Sequence, residues 1–198
     1  MPDFELEIAA RDRGYKFVCG VDEAGRGPLA GPVCAAAVIL DGDTLIEGIN
    51  DSKKLSEKKR EAIYNVIIEK SLAYGIAFAE VEEIEEHNIL NATYLAMNRA
   101  INQLKIKADF ALIDGNRTPT DIQVDCQTVV KGDAKSMSIA AASILAKVTR
   151  DRLLMEYHER YPQYNFAKHK GYGTAEHMAA IRMYGPCEIH RLSFLKKL

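Results

Sequence analysis

The 198-residue chain contains no tryptophan and only four cysteines, Cys19, Cys34, Cys126 and Cys187. No two of them form a C-x-x-C pair, which removes the usual thiolate framework of a structural zinc site. Cys19, Cys34 and Cys126 lie in apolar, strand-like runs and are expected to be buried free thiols in a reducing compartment. No stretch approaches the roughly 18 consecutive apolar residues of a membrane span. The opening residues, MPDFELEIAARDRG, have no apolar signal core, so a cytoplasmic protein without membrane contact is expected. An excess of one charge is also lacking: 26 Lys and Arg stand against 28 Asp and Glu, a formal net charge of −2. That balance does not advertise a partner held by basic surface alone, although basic residues do gather at 53–54, 58–60, 147–152 and 168–170. Repeats, low-complexity tracts and a G-x-x-x-x-G-K-[ST] phosphate loop are absent too.

What is present is an ordinary globular composition, 47% hydrophobic and 27% charged. The length fits one large domain over residues 1–198, with about 155–198 as a C-terminal part, or one domain plus a small appendage, and a domain of this size can bury its own core without disulfides. Apolar runs at 17–22, 33–40, 73–81, 109–114 and 122–130 read as strands. Residues 52–71, 82–104, 137–160 and 174–184 carry helical periodicity. Ser56 reads as an N-cap, and a break is expected near His87–Asn88, with Asn91 capping the second half. Residues 23–32 hold three Gly and two Pro and read as a loop. The first two strands are close enough to pair antiparallel, and strands then alternate with helices. The expected fold is therefore an α/β sheet of mixed direction.

Three strand ends carry acids: Asp22 and Glu23 after the first, Asp114 after the fourth, Asp133 after the fifth. Ligands of open α/β sheets bind at strand ends, so these acids are expected to converge. Carboxylates forced together raise one another's pKa unless a cation joins them. A donor set of oxygens alone favours Mg²⁺ or Mn²⁺ over zinc. Two such ions about 3.5–4 Å apart are a common device for in-line attack on a phosphodiester. Adjacent strand residues point to opposite faces, so Asp22 and Glu23 converge only if the strand ends early near Gly25, or if Glu23 contributes its backbone carbonyl. Gly25-x-Gly27-x-x-Ala30 superficially matches a dinucleotide-binding loop, but the apolar run VCAAAVIL follows where a helix must open. Close approach of this loop to a sugar-phosphate chain fits better. Its backbone groups could read a 2′-hydroxyl, the group that separates RNA from DNA, with Arg26 supplying charge.

The runs DEAGRGPLAGPV at 22–33, DSKKLS at 51–56, KGDAKSMSIAAASILAKVTRDR at 131–152 and HKGYGTAEH at 169–177, with Asp114 after its strand, together resemble ribonuclease HII of the bacterial type. The resemblance covers nearly the whole chain, to HRLSF near its end. It implies a ribonuclease H-like fold, a five-stranded mixed sheet flanked by helices with a C-terminal helical extension. It also implies endonucleolytic cutting of RNA in RNA–DNA hybrids, and 5′ to single ribonucleotides embedded in duplex DNA, leaving a 5′-phosphate. By motif match the catalytic and metal-holding set is Asp22, Glu23, Asp114 and Asp133. Gly25, Arg26 and Gly27 form the ribonucleotide-reading loop, Tyr172 stacks on the sugar at the RNA–DNA junction, and Ser52 and Lys53 contact backbone phosphates. His169 and His177 are expected at the surface or on the phosphate side. A monomer is expected. The sister group, ribonuclease HIII, is disfavoured by the Gly-Arg-Gly loop and by the short run ahead of the first strand.

Two other functions compete. A module that holds hybrids without cutting would bind equally well in a chelator, but four acids repel phosphate. A nuclease or phosphohydrolase acting on DNA or a small ester would cut an all-DNA duplex as readily as one containing a ribonucleotide.

Overall fold

Strand β2 (Val33–Ile39) is buried along its whole length, and four of its seven residues are cysteine or alanine. Small side chains on both faces let helices approach closely from both sides, as expected for an inner strand. In the computed structural model, which describes residues 1–43, 46–49 and 55–196, β2 lies between β1 (Val18–Ala24) and β3 (Ala73–Ala79), antiparallel to both. On its other side β1 pairs in parallel with β4 (Phe110–Asp114), and β4 in parallel with β5 (Asp125–Val129). The sheet is five-stranded and mixed, as expected, and its order is β3-β2-β1-β4-β5.

Helices cover both faces of the sheet. On one face α3 (Val81–Asn102) sets Ala92, Ala96, Met97 and Ala100 against Val21, Ala35, Ala37 and Ile113. On the other lie α2 (Glu57–Lys70) and α4 (Met137–Arg160), over Cys34, Ala36 and Val38. From Met137 to Ala146 every residue of α4 is buried, so this half of the helix is internal. Gly20 explains how deeply it sits: a Cβ there would lie 2.1 Å from the Ser138 backbone. Only glycine lets the start of α4 rest directly on β1.

Ser56 caps α2 as expected, accepting from the Lys59 N–H, although α2 begins at Glu57 rather than at 52. The break in α3 falls at Asn88, with φ 66° and ψ 164°. Asn88 itself supplies the cap, its Oδ1 accepting from the N–H groups of Leu90 and Asn91, so the role expected of Asn91 belongs three residues earlier. The sequence reading missed helix α1 (Glu5–Asp12). Its Glu7 is buried against the start of α4, accepting from Ser136 Oγ at 2.7 Å and Ser138 N–H at 2.9 Å. Beyond α4 come the short helix α5 (Phe166–His169), α6 (Ala175–Tyr184), capped by Thr174, and α7 (Leu192–Leu195). Tyr164, Phe166 and Ile189 pack there with Ala30 and Leu154 in a separate small core. Among the described residues no helix is long and apolar enough to cross a membrane.

Candidate active site

Because β1, β4 and β5 run parallel, their C-terminal ends share one edge of the sheet. Val21 pairs with Ile113, so Asp22 and Asp114 follow side by side one step beyond. Both extend the face covered by α4, where Gly20 and Leu112 already lie against Ser138 and Ile139. Asp133 arrives after β5 in a 3₁₀ turn, Gly132–Ala134, just ahead of α4, and is buried. That turn is tied to the edge by the Gly132 N–H, which donates to Asp114 Oδ1 at 2.6 Å.

Glu23 behaves differently. Residues 23 and 24 belong to β1, not to the loop, because the pairing with β2 continues through Ala24↔Cys34. The strand does not end early, so Asp22 and Glu23 alternate. Asp22 faces α4 and is 5% exposed, with Ser143 beside it. Glu23 lines a cavity of about 360 Å³ on the α3 side, with Arg26, Tyr94, Met97, Asp114 and Arg117. The two acids meet only at the rim where β1 ends.

Burial, then the charges of Glu23 and Asp114, pushes the Asp22 carboxyl well above the ordinary carboxylate range. The Glu23 N–H, donating to Asp22 Oδ1 at 2.7 Å, and Ser143 oppose this without cancelling it. Among the described residues no three Asp, Glu, His or Cys side chains are already gathered as a metal-holding group. Asp22 and Asp114 are each turned onto a backbone N–H instead. The donor set is all oxygen, and it holds more negative charge than its burial tolerates. Those two properties fit a hard divalent cation.

The glycine loop stands beside these acids. Gly25 has φ +98°, and a Cβ there would lie 2.0 Å from Arg150 Nε, so glycine is required twice over. Arg26 reaches Glu23 at 3.4 Å with its side chain half exposed. A Cβ at Gly27 would lie 3.7 Å from the Tyr172 ring, which puts the loop and Tyr172, 45% exposed, side by side. Ser52 and Lys53 lie outside the described residues.

The sequence reading missed two residues that build this loop. Arg150 and Arg191 are buried, and their guanidinium groups donate to loop carbonyls rather than to acids. Arg150 bonds the carbonyls of Ala30, Pro32 and Lys170; Arg191 bonds those of Gly25, Arg26, Pro28 and Gly31. Burial, then Arg150, pushes Arg191 down to about 9, which leaves it charged at neutral pH. A signal for Arg150 existed: it continues the inner stripe of α4 at Ser143 and Ala146. His169 and His177 are also buried, not superficial, and pack with His190 beneath Tyr172. Desolvation holds all three below the ordinary histidine value, His190 at about 4.

A mixed sheet with buried acids at the shared edge of its parallel strands is suited to divalent-metal-dependent hydrolysis of a phosphodiester. The family model described as Ribonuclease HII matches residues 19–197, and the chain belongs to that family. It is accordingly an endoribonuclease of the ribonuclease H type 2 class. A ribonuclease HII of Caldicellulosiruptor bescii is 55% identical over 195 residues, 98% of this chain and 94% of that protein. The ribonuclease H2 of Pyrococcus horikoshii OT3 superposes with a TM-score of 0.76 at 28% identity, over 90% of this chain and 93% of that one. A Bst ribonuclease HIII in complex with Mn²⁺ shares the fold, with a TM-score of 0.62 at 18% identity, over 89% of this chain and 72% of that one.

Proposed function

We propose that Asp22, Glu23, Asp114 and Asp133 hold Mg²⁺ or Mn²⁺, two ions during turnover, and that this centre hydrolyses RNA in RNA–DNA hybrids and cuts 5′ to single ribonucleotides in duplex DNA. The observation that carries the assignment is the Asp22 carboxyl, pushed upward first by its burial and then by the charges of Glu23 and Asp114 beside it. When bound, the cations activate water and stabilise the departing oxygen.

The chain's own residues do the rest. Asp114, tied to Gly132, keeps the Asp133 turn against the sheet edge. Arg26, already beside Glu23 with an exposed guanidinium, offers a phosphate a bidentate partner. Gly25, Arg26 and Gly27 bring backbone to the ribose, where a 2′-hydroxyl can both donate and accept. Tyr172, adjacent to Gly27, presents a ring face for the sugar at the RNA–DNA junction. Water attacking the phosphorus opposite the 3′-oxygen of the upstream deoxynucleotide would break that P–O bond; the 3′-oxygen takes a proton and leaves as a 3′-hydroxyl, and the 5′-phosphate stays on the ribonucleotide.

The test is cleavage of a labelled DNA duplex carrying one ribonucleotide, with Mg²⁺ or Mn²⁺, beside an all-DNA duplex. A single cut 5′ to the ribonucleotide is expected, ending in a 5′-phosphate, with the all-DNA duplex untouched. An intact ribonucleotide duplex with both metals would overturn the assignment.

A further inference from the structure

We infer that the dipeptide His190–Arg191 positions both halves of the ribose-reading site: Arg191 aims the backbone amides of the Gly25–Gly27 loop, and His190, by fixing the tautomer of His177, makes that ring the N–H donor that anchors the main chain of Tyr172. The inference rests on the proposed reading roles of that loop and of Tyr172.

Residues 189–191 form a short antiparallel bridge with residues 29–31. The Gly31 N–H donates to the Ile189 carbonyl and the Arg191 N–H to the Leu29 carbonyl, both at 2.8 Å, with Ala30 opposite His190. Neighbouring residues of an extended segment point to opposite sides. His190 therefore turns toward α6, and Arg191 toward the loop.

Arg191 is 0% exposed and makes five hydrogen bonds to loop carbonyls. Nη2 donates to Gly25 at 2.6 Å and Gly31 at 2.7 Å; Nη1 donates to Arg26 at 3.0 Å and Pro28 at 2.9 Å; Nε donates to Gly31 at 2.9 Å. In a planar trans peptide the C=O and the following N–H point in opposite directions. With the Gly25 and Arg26 carbonyls drawn inward, the N–H groups of Arg26 and Gly27 point away from the guanidinium. Hydrogen bonding to a cation also polarises each of those peptides and makes its N–H a better donor. One buried fork thus presents two adjacent amides, the type of donor that a 2′-oxygen needs. A lysine in its place has the charge but not the planar fork.

The second half follows from counting protons. The Cys187 N–H donates to His190 Nδ1 at 2.9 Å, so the hydrogen of a neutral His190 sits on Nε2. That nitrogen faces His177 Nε2 at 3.1 Å, which must therefore accept. The hydrogen of His177 is left on Nδ1, which donates to the Tyr172 carbonyl at 2.9 Å. The four groups form one directed chain, Cys187 to His190 to His177 to Tyr172. It holds the Tyr172 backbone and leaves the ring free to meet substrate.

The experiment compares Arg191→Lys, His177→Ala and His177→Asn with the wild-type protein. Asn can place its amide nitrogen where His Nδ1 stood, whereas Ala cannot; both lose the contact to His190. Measured quantities are kcat and KM on a duplex with one embedded ribonucleotide and on an uninterrupted RNA–DNA hybrid, plus the rise in melting temperature on adding Mn²⁺. Arg191→Lys should lower kcat/KM on the embedded ribonucleotide about tenfold or more while the Mn²⁺ shift persists. His177→Ala should lower the preference for the embedded ribonucleotide over the hybrid, and His177→Asn should restore most of it. Equal losses on both substrates for His177→Ala, no recovery with Asn, or wild-type kinetics in Arg191→Lys would overturn the inference. Should Arg191→Lys fail to fold, the Ala and Asn pair at His177 still decides. A wild-type protein that cuts neither substrate would overturn the underlying assignment instead.

Discussion

Asp22 carries the clearest conflict in the molecule: a carboxylate 5% exposed, beside Glu23 and Asp114. A carboxyl whose pKa is raised on folding stabilises the fold at pH below its unfolded value and loses that contribution as pH rises through the folded one. At pH 7–8 without metal, Asp22 therefore works against the fold. Asp22→Asn should abolish cleavage, by about three orders of magnitude or more, and at the same time raise the metal-free melting temperature by a few degrees. A lower melting temperature in chelator would contradict that account. Gly25→Ala should behave oppositely, losing about 2 kcal/mol or more along with activity, since Arg150 is held by three carbonyls and cannot yield to the new methyl; urea unfolding measures it, and an unchanged midpoint would refute it. At this scale the acids were legible, because acids directly after apolar strands are conspicuous. Arg150 was marked only by its place on the inner stripe of α4, and His190 and Arg191 by nothing. In sequence, a buried arginine bonding carbonyls as far as 166 positions away looks like any surface charge.

Elements were legible where periodicity is strong and local. The five strands and the long helices follow from apolar spacing, and the parallel β1–β4–β5 arrangement brings the predicted strand ends to one edge. Helix α1 was not legible, because its stability is tertiary: Glu7 is buried only where the chain returns at Ser136 and Ser138. Two charge-assisted hydrogen bonds at a helix N-terminus are each worth about 1.5–3 kcal/mol, offset in part by desolvation. Glu7→Ala should therefore cost about 2–3 kcal/mol. A denaturant midpoint within about 0.5 kcal/mol of wild type would show that α1 contributes nothing to α4. The continuation of β1 through Ala24 was hidden for another reason. Glycine and proline mark the loop from Gly25 onward, but the ladder to β2 runs through Glu23 and Ala24, two residues into the expected loop.

On the scale of the whole molecule, pH acts through two opposed groups. His169, His177 and His190 are depressed by burial, His190 to about 4. A base depressed on folding contributes stability that is present above its unfolded value of about 6.5 and is lost as pH falls toward the folded one. Asp22 has the opposite sign, so the histidine contribution is best measured in an Asp22→Asn background. There the unfolding midpoint should fall steadily from pH 7 to 5, and a flat profile would exclude the neutral histidine chain. The sheet itself gives the site a different kind of permanence. Strand β1 lies between β2 and β4, and Val18 to Val21 are buried. Its amides should exchange with deuterium only through global unfolding, among the slowest in the protein. Asp22 and Glu23 sit on that same strand, so their spacing should persist until the molecule as a whole comes apart. Heat should then extinguish cleavage at the unfolding transition and not before it.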